Sequence, residues 1–328
     1  MTGDKTAGWT AGFFKKAVAL AVAITASLAS GPVWAQDITI GEGVALGWGQ
    51  FFIADHEKLW EKQGLTPKVT TFASGRLVLD ALVGGGVVIG TAAETPVVFA
   101  NLNGLPVRVI GVLNRHEPFD LVAVQDIKTV KDIKGRKIGY SQGTNAHYYL
   151  LKLLDEAGLK LSDITAVSLN PGDFVSSLSG GAIDAFIWTE PHISQAIQQG
   201  NGRFHAIRSS GLYNTYSSII TLQSTIDNNP DLLVKALRAL ADADGFIKEQ
   251  REVATRIVAE RIKLDPQIAR SFWSRAKFDL SLDKPLLVAE LKRQADWAIE
   301  NKLVRPDAKI PDFDKVVVPD LLERALKK

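Results

Sequence analysis

Short apolar runs alternate along this chain with stretches in which apolar residues recur every three or four positions. The central example is an extended run over 136–140, a turn of small and polar residues over 141–145, and a helical stretch after it. In that stretch the apolar positions fall at 146, 149, 150, 153, 154 and 157, the spacing of a helix with one buried face. Thr144 or Asn145 is suited to be the N-cap of this helix, and Gly158 lies where the C-terminal end of the helix is expected. The pattern predicts a strand, a loop and a helix in succession.

The same succession recurs before and after this stretch. The runs that predict strands lie at 37–41, 69–72, 87–90, 106–112, 167–169 and 184–188. The loops that open predicted helices lie at 43–50, 73–76 and 93–96, and the first of these helices is predicted over 51–63. Strands that alternate with helices predict an α/β fold with mostly parallel sheets. Because ligands of such sheets bind beyond the carboxyl ends of the strands, we expect these loops to gather at one edge.

Two more apolar runs, at 121–124 and 217–222, are interpreted as strands that cross between two halves of the fold. After about Ser224 helical spacing continues to Asn301, interrupted near Pro266 and Pro285. Few loop glycines remain in this part, so we expect its helices to pack on the first half with little ligand contact.

The N-terminus has the features of a secretory signal peptide over residues 1–35. Lys15 and Lys16 precede an apolar, alanine-rich stretch, and Val33-Trp34-Ala35 resembles a cleavage site before Gln36. The 328-residue sequence contains no cysteine, which excludes a lipid anchor on cysteine, disulfides and thiolate chemistry. We therefore expect a periplasmic protein without a lipid anchor.

Charge and motif content exclude several classes of function. Residues 1–35 contain three basic residues and one acidic residue, so their removal lowers the formal charge from +2 to zero. A neutral chain without a basic run argues against nucleic acid and against a membrane surface as partners. The five histidines show no metal-ligand spacing, and no catalytic motif such as Gly-x-Ser-x-Gly is present, so we expect no metal, no cofactor and no enzyme activity.

The turn at 143–145 is a candidate anion site. The first N–H groups of a helix lack internal partners and carry a partial positive charge, so they attract anions. Gly143 permits close approach of a ligand, and Thr144 and Asn145 add side-chain donors. Arg76 and Arg115 are candidates for pairing with a sulfonate or carboxylate. Glu94 is expected either to accept from an amine or hydroxyl of the ligand or to serve its own helix N-terminus.

Four motifs give the chain a family resemblance: 72–75 (FASG), 89–96 (IGTAAETP), 143–148 (GTNAHY) and 184–191 (DAFIWTEP). In order and spacing the chain resembles periplasmic solute-binding proteins of ABC importers, in the nitrate, taurine and aliphatic-sulfonate group (NMT1/THI5-like). This resemblance implies two α/β lobes of the type II binding-protein fold, with the ligand in the cleft between them. The expected limits are 36–122 and 219–328 for the first lobe and 123–218 for the second.

The resemblance also implies contacts and partners. Anion contacts fall on Ser74, Thr95, Thr144 and Asn145, with Trp48 or Gln50 and Trp188 as walls. Asn145 stands where the family commonly has a small hydroxyl residue, and Glu190 where it usually has Asp. The full set of expected ligand-binding residues is Trp48, Gln50, Ser74, Glu94, Thr95, Arg115, Thr144, Asn145, Trp188 and Glu190.

The expected function is that of a monomeric binding protein that captures a small organic anion and delivers it to an ABC permease. The alternatives are a cationic or neutral heterocycle resembling a thiamine precursor as ligand, with Trp48, Trp188 and Glu94 as contacts, or an enzyme on the same fold. The signal peptide and the absence of cysteine count against the enzyme.

Overall fold

The computed structural model describes residues 35–327, so the predicted signal peptide lies almost wholly outside the described residues. Eleven strands are present in the described part: β1 (Gln36–Gly43), β2 (Leu65–Phe72), β3 (Ile89–Ala92), β4 (Val107–His116), β5 (Asp120–Val124), β6 (Lys137–Tyr140), β7 (Thr165–Ser168), β8 (Ala185–Trp188), β9 (Phe204–Ile207), β10 (Thr215–Leu222) and β11 (Lys277–Ser281).

The helices between them follow the strand–loop–helix order of the sequence. They are α1 (Gly49–His56), α2 (Leu59–Lys62), α3 (Gly75–Val83), α4 (Glu94–Leu102), α5 (Asn145–Glu156), α6 (Phe174–Ser179), α7 (His192–Gly200), α8 (Gln223–Asn228), α9 (Pro230–Glu249), α10 (Arg251–Arg261), α11 (Pro266–Arg275), α12 (Lys284–Glu300), α13 (Phe313–Val316) and α14 (Asp320–Leu326).

The strands form two separate sheets, which define two lobes. The first sheet has the order β11-β4-β10-β3-β1-β2, and the second has the order β7-β6-β8-β5-β9. In the first sheet β1 runs parallel to β2 and β3, whereas β10 is antiparallel to β3 and β4, and β11 is antiparallel to β4. In the second sheet β6 is parallel to β7 and β8, and β5 is antiparallel to β8 and β9. Both sheets are therefore mixed, and the prediction of mostly parallel sheets was wrong.

Each strand interpreted as crossing belongs to a single sheet. Strand β5 pairs only within the second sheet and β10 only within the first, in the part of the chain that the structure describes. The connections between the sheets run instead through the short segments 117–119 and 208–214. The predicted lobe limits at 122 and 218 thus fall inside strands. An apolar run indicates a buried strand but does not indicate to which sheet the strand belongs.

The first predicted helix is interrupted. Residues 51–63 form two helices that part at Glu57 and Lys58, where Lys58 adopts a left-handed conformation with φ of 54°. The turn lets both Phe51 and Trp60 bury their rings, which meet edge to face at 5.8 Å between centroids. Strand β11 lies in a region for which only helices were predicted. Its pairing with β4, a contact between distant parts of the sequence, outweighs the local helical pattern there.

Apolar side chains form three buried clusters. Two of them cover the faces of the first sheet: one packs against α1, α9, α10 and α11, and the other against α3, α4 and α12. The third belongs to the second sheet and its helices α5, α6 and α7. Within residues 35–327 no helix combines the length and the apolarity needed to cross a bilayer.

Candidate functional site

A cavity lies where loops from both lobes meet. Its walls come from the turns after β1, β2, β3, β6 and β8 and from the ends of β4 and β10. The lining residues are Val44, Ala45, Gly47, Trp48, Ser74, Gly75, Arg76, Ala93, Pro96, His116, Pro118, Phe119, Thr144, Asn145, Trp188, Thr189, Thr215 and Ser217. The prediction that the loops at 43–50, 73–76 and 93–96 gather at one edge is confirmed.

Helix N-termini face this cavity from both lobes. Helix α3 begins at Gly75 and α5 at Asn145, and both residues line the cavity. The residue before each helix, Ser74 or Thr144, has extended backbone, as expected of an N-cap. The first N–H groups of these helices therefore turn their partial positive charge toward the cavity.

Five of the ten predicted ligand-binding residues line the cavity: Trp48, Ser74, Thr144, Asn145 and Trp188. Ser74 Oγ accepts from the backbone N–H of Leu77 at 3.4 Å, so its own hydroxyl proton is available to a ligand. Thr144 differs, because its hydroxyl donates to the carbonyl of Ser141 at 2.7 Å. The side chain of Thr144 thus offers lone pairs to the cavity and not the donor expected from the sequence.

Asn145 and Trp188 supply two further donors. Asn145 Nδ2 donates to Thr215 Oγ1 at 2.8 Å, which leaves its second N–H for a ligand. The indole Nε1 of Trp188 is buried and has no hydrogen-bond partner within the described structure. Because a buried polar group without a partner is costly, this N–H is a candidate ligand contact.

Gln50 and Thr95 belong to buried contacts behind the cavity. Gln50 Nε2 donates to the carbonyl of Leu113 and to Asp244 Oδ1, both at 3.0 Å, and joins α1 to β4 and α9. Thr95 Oγ1 donates to Gln294 Oε1 at 2.6 Å and joins α4 to α12. Neither residue lines the cavity.

Glu94 is fully buried and does not line the cavity either. Its carboxylate accepts from the hydroxyls of Tyr213 and Thr215, the backbone N–H of Tyr216 and the amide of Gln294. Burial raises the pKa of Glu94 to about 7, and the hydrogen bond from Tyr213 opposes that rise. The structure therefore places Glu94 behind Thr215, as support for the wall that Thr215 presents.

Arg115 and Glu190 lie outside the cavity wall. The guanidinium of Arg115 stacks on the ring of Tyr216, 4.6 Å from its centroid, and borders a separate groove. Glu190 accepts from the backbone N–H of Ser194 at 3.0 Å and from its hydroxyl at 2.8 Å, so it satisfies the first turn of α7. Burial raises the pKa of Glu190, and these hydrogen bonds oppose the rise.

Arg76 is the one charged side chain among the described lining residues, and no carboxylate is among them. Its Nη1 donates to the carbonyl of Gln142 at 2.7 Å, a contact between α3 of the first lobe and the β6–α5 turn of the second. Gly143 permits this approach, because a Cβ there would lie 2.8 Å from Arg76 Nη1. A cavity with one cation, free N–H groups and no carboxylate favours an anion over a cation.

Three functional candidates outside the predicted set are Arg76, His116 and Ser217. Arg76 was considered from the sequence as a candidate for pairing with a sulfonate or carboxylate, but it was not included in the predicted set. His116 and Ser217 were only weakly indicated, by their position near the strands that were interpreted as crossing between the two halves of the fold. Their proximity depends on the pairing of β4 with β10, and the sequence pattern did not show this pairing.

Aromatic rings form much of the remaining wall. Phe119 packs between Tyr213, at 6.3 Å, and Trp188, at 6.3 Å between ring centroids. Trp48 and Trp188 are buried and line the cavity from different lobes. These rings offer apolar surface to the body of a ligand, while the helix N-termini offer donors to its charge.

Comparison with known proteins identifies a family and named relatives. The sequence model of the family described as "NMT1/THI5 like" matches residues 48–254. A relative from Escherichia coli (strain K12), named as a candidate aliphatic sulfonates-binding protein, is 28% identical over 258 residues, which span 77% of this chain and 81% of the relative.

Solved structures share the fold. The periplasmic aliphatic sulphonate binding protein SsuA from Escherichia coli superposes with a TM-score of 0.72 at 25% identity, over 86% of this chain and 92% of that chain. The periplasmic nitrate-binding protein NrtA from Synechocystis PCC 6803 superposes with a TM-score of 0.73 at 17% identity, over 88% of each chain. These proteins are named as binding proteins and not as enzymes, and the two mixed sheets follow the two-lobed α/β fold of periplasmic binding proteins.

Proposed function

The chain belongs to the NMT1/THI5-like family, and from this premise we propose that it is the extracytoplasmic solute-binding subunit of an ABC importer for a small organic anion. The ligand class follows the sulfonate and nitrate named for the relatives. The single observation that carries the proposal is the cavity itself, in which helix N-termini of both lobes and Arg76 meet without a carboxylate among the described lining residues.

The arrangement suits capture and release. Hydrogen bonds from helix N-termini, Ser74, Asn145 and the Trp188 indole replace the water around an anion. The one cation, Arg76, is partly exposed and already bonded to Gln142, so it adds modest Coulomb energy. An anion held mainly by neutral donors is dehydrated without a buried salt bridge, and the permease then receives it from a site that is easily opened.

The proposal includes the cellular setting of the protein. The predicted signal peptide and the periplasmic relatives support a periplasmic location after cleavage before Gln36. The lobes are proposed to close over the ligand about the segments 117–119 and 208–214, which connect the two sheets. The mature protein is proposed to act as a monomer that docks on the membrane subunits of the importer.

A thermal-shift panel tests the proposed function. The chain from Gln36 is unfolded and refolded to remove bound ligand, and its unfolding midpoint is measured with alkanesulfonates, taurine, arenesulfonates, carboxylates and nitrate. A ligand present at about 100 times its dissociation constant adds about 2.7 kcal/mol of stability, which raises the midpoint by several degrees.

The same panel contains the ligands of the rival interpretation. Thiamine-like heterocycles and alkylamines are added at equal concentrations. A shift with one or more anions and none with the amines supports the proposal. A shift with heterocycles or amines alone would refute it, because the cavity would then prefer neutral or cationic molecules.

A further inference from the structure

The part of the cavity wall formed by β4 and β10 holds an ordered polar cluster of Asn114, His116 and Ser217. The three side chains are 2%, 8% and 0% exposed. Asn114 Nδ2 donates to the carbonyl of Gly47 at 2.7 Å, and this bond fixes the orientation of the amide. Its Oδ1 therefore points to the other two residues, at 2.7 Å from His116 Nδ1 and 3.0 Å from Ser217 Oγ.

This geometry determines where the protons lie. Asn114 Oδ1 is an acceptor only, so His116 Nδ1 and Ser217 Oγ must each donate their proton to it. Burial lowers the pKa of His116 to about 3, and the imidazole is neutral at ordinary pH. Its other nitrogen, Nε2, consequently carries a lone pair, and the oxygen of Ser217 also has lone pairs left.

Both acceptors lie at the cavity wall, since His116 and Ser217 line it together with Gly47. A Cβ at position 47 would lie 2.5 Å from His116 Cε1, 3.2 Å from Nε2 and 2.8 Å from Ser217 Oγ. Glycine is therefore required at this position, where its backbone packs against the imidazole and the serine side chain. Phe272 holds the ring in place from α11, edge to face at 4.8 Å between centroids.

The cavity thus has two chemically different parts. The turns that begin α3 and α5 present donors, which are Ser74, Arg76, Asn145 and backbone N–H groups. The β4–β10 wall presents acceptors. A plain anion satisfies the first part and leaves the acceptors of the second without a donor, and buried acceptors without a donor lower the affinity.

The donor that fits this wall is neutral. A ligand ammonium would need a negative partner, and no carboxylate is among the described residues that line the cavity. Glu94 does not serve, because four donors already occupy its carboxylate behind Thr215. A hydroxyl donates a hydrogen bond without bringing a charge that must be buried.

We propose that His116 Nε2, held in place by the cluster with Asn114 and Ser217, accepts a hydrogen bond from a neutral hydroxyl of the ligand, and that the chain selects hydroxy-substituted organic anions over plain and amino-substituted ones. This inference rests on the proposed function, since it specifies the ligand of the same cavity. His116 is a specificity-determining residue in this arrangement, and Asn114 positions it by fixing its tautomer.

Calorimetric titration with matched ligands tests the inference. The first set is 2-hydroxyethanesulfonate, ethanesulfonate and taurine, and the second is 4-hydroxybenzenesulfonate and benzenesulfonate. The expected result is that a hydroxyl member binds more tightly than its plain partner by roughly tenfold or more, the equivalent of about 1.4 kcal/mol. Taurine is expected to bind less tightly than 2-hydroxyethanesulfonate.

Variants separate this role from a structural one. His116→Phe keeps an aromatic ring beside Phe272 and removes the acceptor, so the ratio between hydroxyl and plain ligand falls toward one while plain sulfonates still bind. His147→Phe is the matched control, because His147 is also a buried neutral histidine but does not line the cavity. It is expected to keep the ratio. Ser217→Ala, a smaller change, lowers the ratio even if His116→Phe does not fold.

The outcomes distinguish the two proposals. If both members of each pair bind unmodified protein equally, or if taurine binds most tightly, the inference is wrong although the binding of anions stands. An unchanged ratio in both His116→Phe and Ser217→Ala also overturns it. If no anion of the panel binds, the proposed function fails and this inference fails with it.

Discussion

The carboxyl group of Glu94 is completely buried, and its surroundings give it a pH dependence that an exposed glutamate lacks. From the sequence, Glu94 was expected to accept from a ligand amine or hydroxyl or to serve its own helix. The structure supports neither as its main role, because Tyr213, Thr215, Tyr216 and Gln294 donate to it. Burial raises its pKa from 4.5 to about 7.

This shift predicts a loss of stability with rising pH. The folded pKa lies above the unfolded one, so the contribution is fully present below pH 4.5 and is lost as the pH rises through about 7. Between pH 6.5 and 8 the free energy of unfolding is expected to fall by about 1 kcal/mol from this group. Urea unfolding across that range measures the slope.

Glu94→Gln provides the comparison for this slope. The variant is expected to be less stable over the whole pH range, because an amide cannot accept from all four donors. Its free energy of unfolding is also expected to lack the pH dependence that comes from Glu94. The buried histidines His116, His147 and His192, whose pKa values burial lowers, still titrate near pH 6.5 in the unfolded chain, but both proteins contain them, so their contribution cancels in the comparison. An equal slope in both proteins would contradict the assignment.

At the scale of elements, the start of helix α3 combines a structural cap with a ligand contact. Ser74 Oγ accepts from Leu77 N within the helix, while its hydroxyl proton and the first backbone N–H groups face the cavity. The two roles are separable, because loss of an N-cap lowers stability and loss of a donor lowers affinity.

Ser74→Ala is expected to weaken binding of the best anion by about tenfold, since hydrogen bonds to charged groups contribute about 1.5–3 kcal/mol. Asp265→Ala is the control: Asp265 is also an N-cap, accepting from Gln267 N at 2.7 Å, but it starts α11 away from the cavity wall. Both variants are expected to unfold at lower temperature, and titration is expected to show weaker binding only for Ser74→Ala. Equal affinities would remove Ser74 from the site.

For the molecule as a whole, the two lobes touch through few polar contacts around the cavity. Arg76 bonds to Gln142 O, and Asn145 bonds to Thr215 Oγ1, each between residues of different lobes. Trp297 of α12 adds an apolar contact to Tyr148 of α5, at 4.9 Å between ring centroids. Because few polar contacts join the lobes around the cavity, we expect ligand binding to shift the protein between open and closed forms.

X-ray scattering tests this expectation. The radius of gyration of the ligand-free protein is expected to decrease when a tightly bound ligand saturates it. The double variant Arg76→Ala/Asn145→Ala lacks both polar contacts. Without ligand its radius of gyration is expected to equal or exceed that of the unmodified protein, and a higher ligand concentration is expected to be needed for the same decrease. An identical radius with and without ligand in the unmodified protein would contradict closure.

Local patterns in the sequence determined much of this protein. The spacing of apolar residues predicted the helix that follows 141–145, the glycine at its end, and the alternation of strands and helices that makes the fold α/β. The family resemblance added Trp48, Ser74 and Trp188 to the candidates. The local pattern also predicted that loops after strands would meet at one edge, and it made Thr144 and Asn145 candidates at the start of a helix. These features depend on neighbouring residues, whose periodicity and capping act over a few positions of the chain.

Only the tertiary structure decided which of the candidates face the cavity. The relative directions of the strands, the placement of β11 and the pairing of β10 between β3 and β4 depend on contacts between residues far apart in the sequence. No local pattern predicts such contacts. That pairing places Ser217 beside Asn114 and His116 of β4, and it brings Thr215 and Tyr216 to the carboxylate of Glu94. Whether a polar residue lines a site or supports it from behind depends on the partners that folding brings to it, and those partners lie more than 60 residues away for Gln50, Glu94 and Thr95.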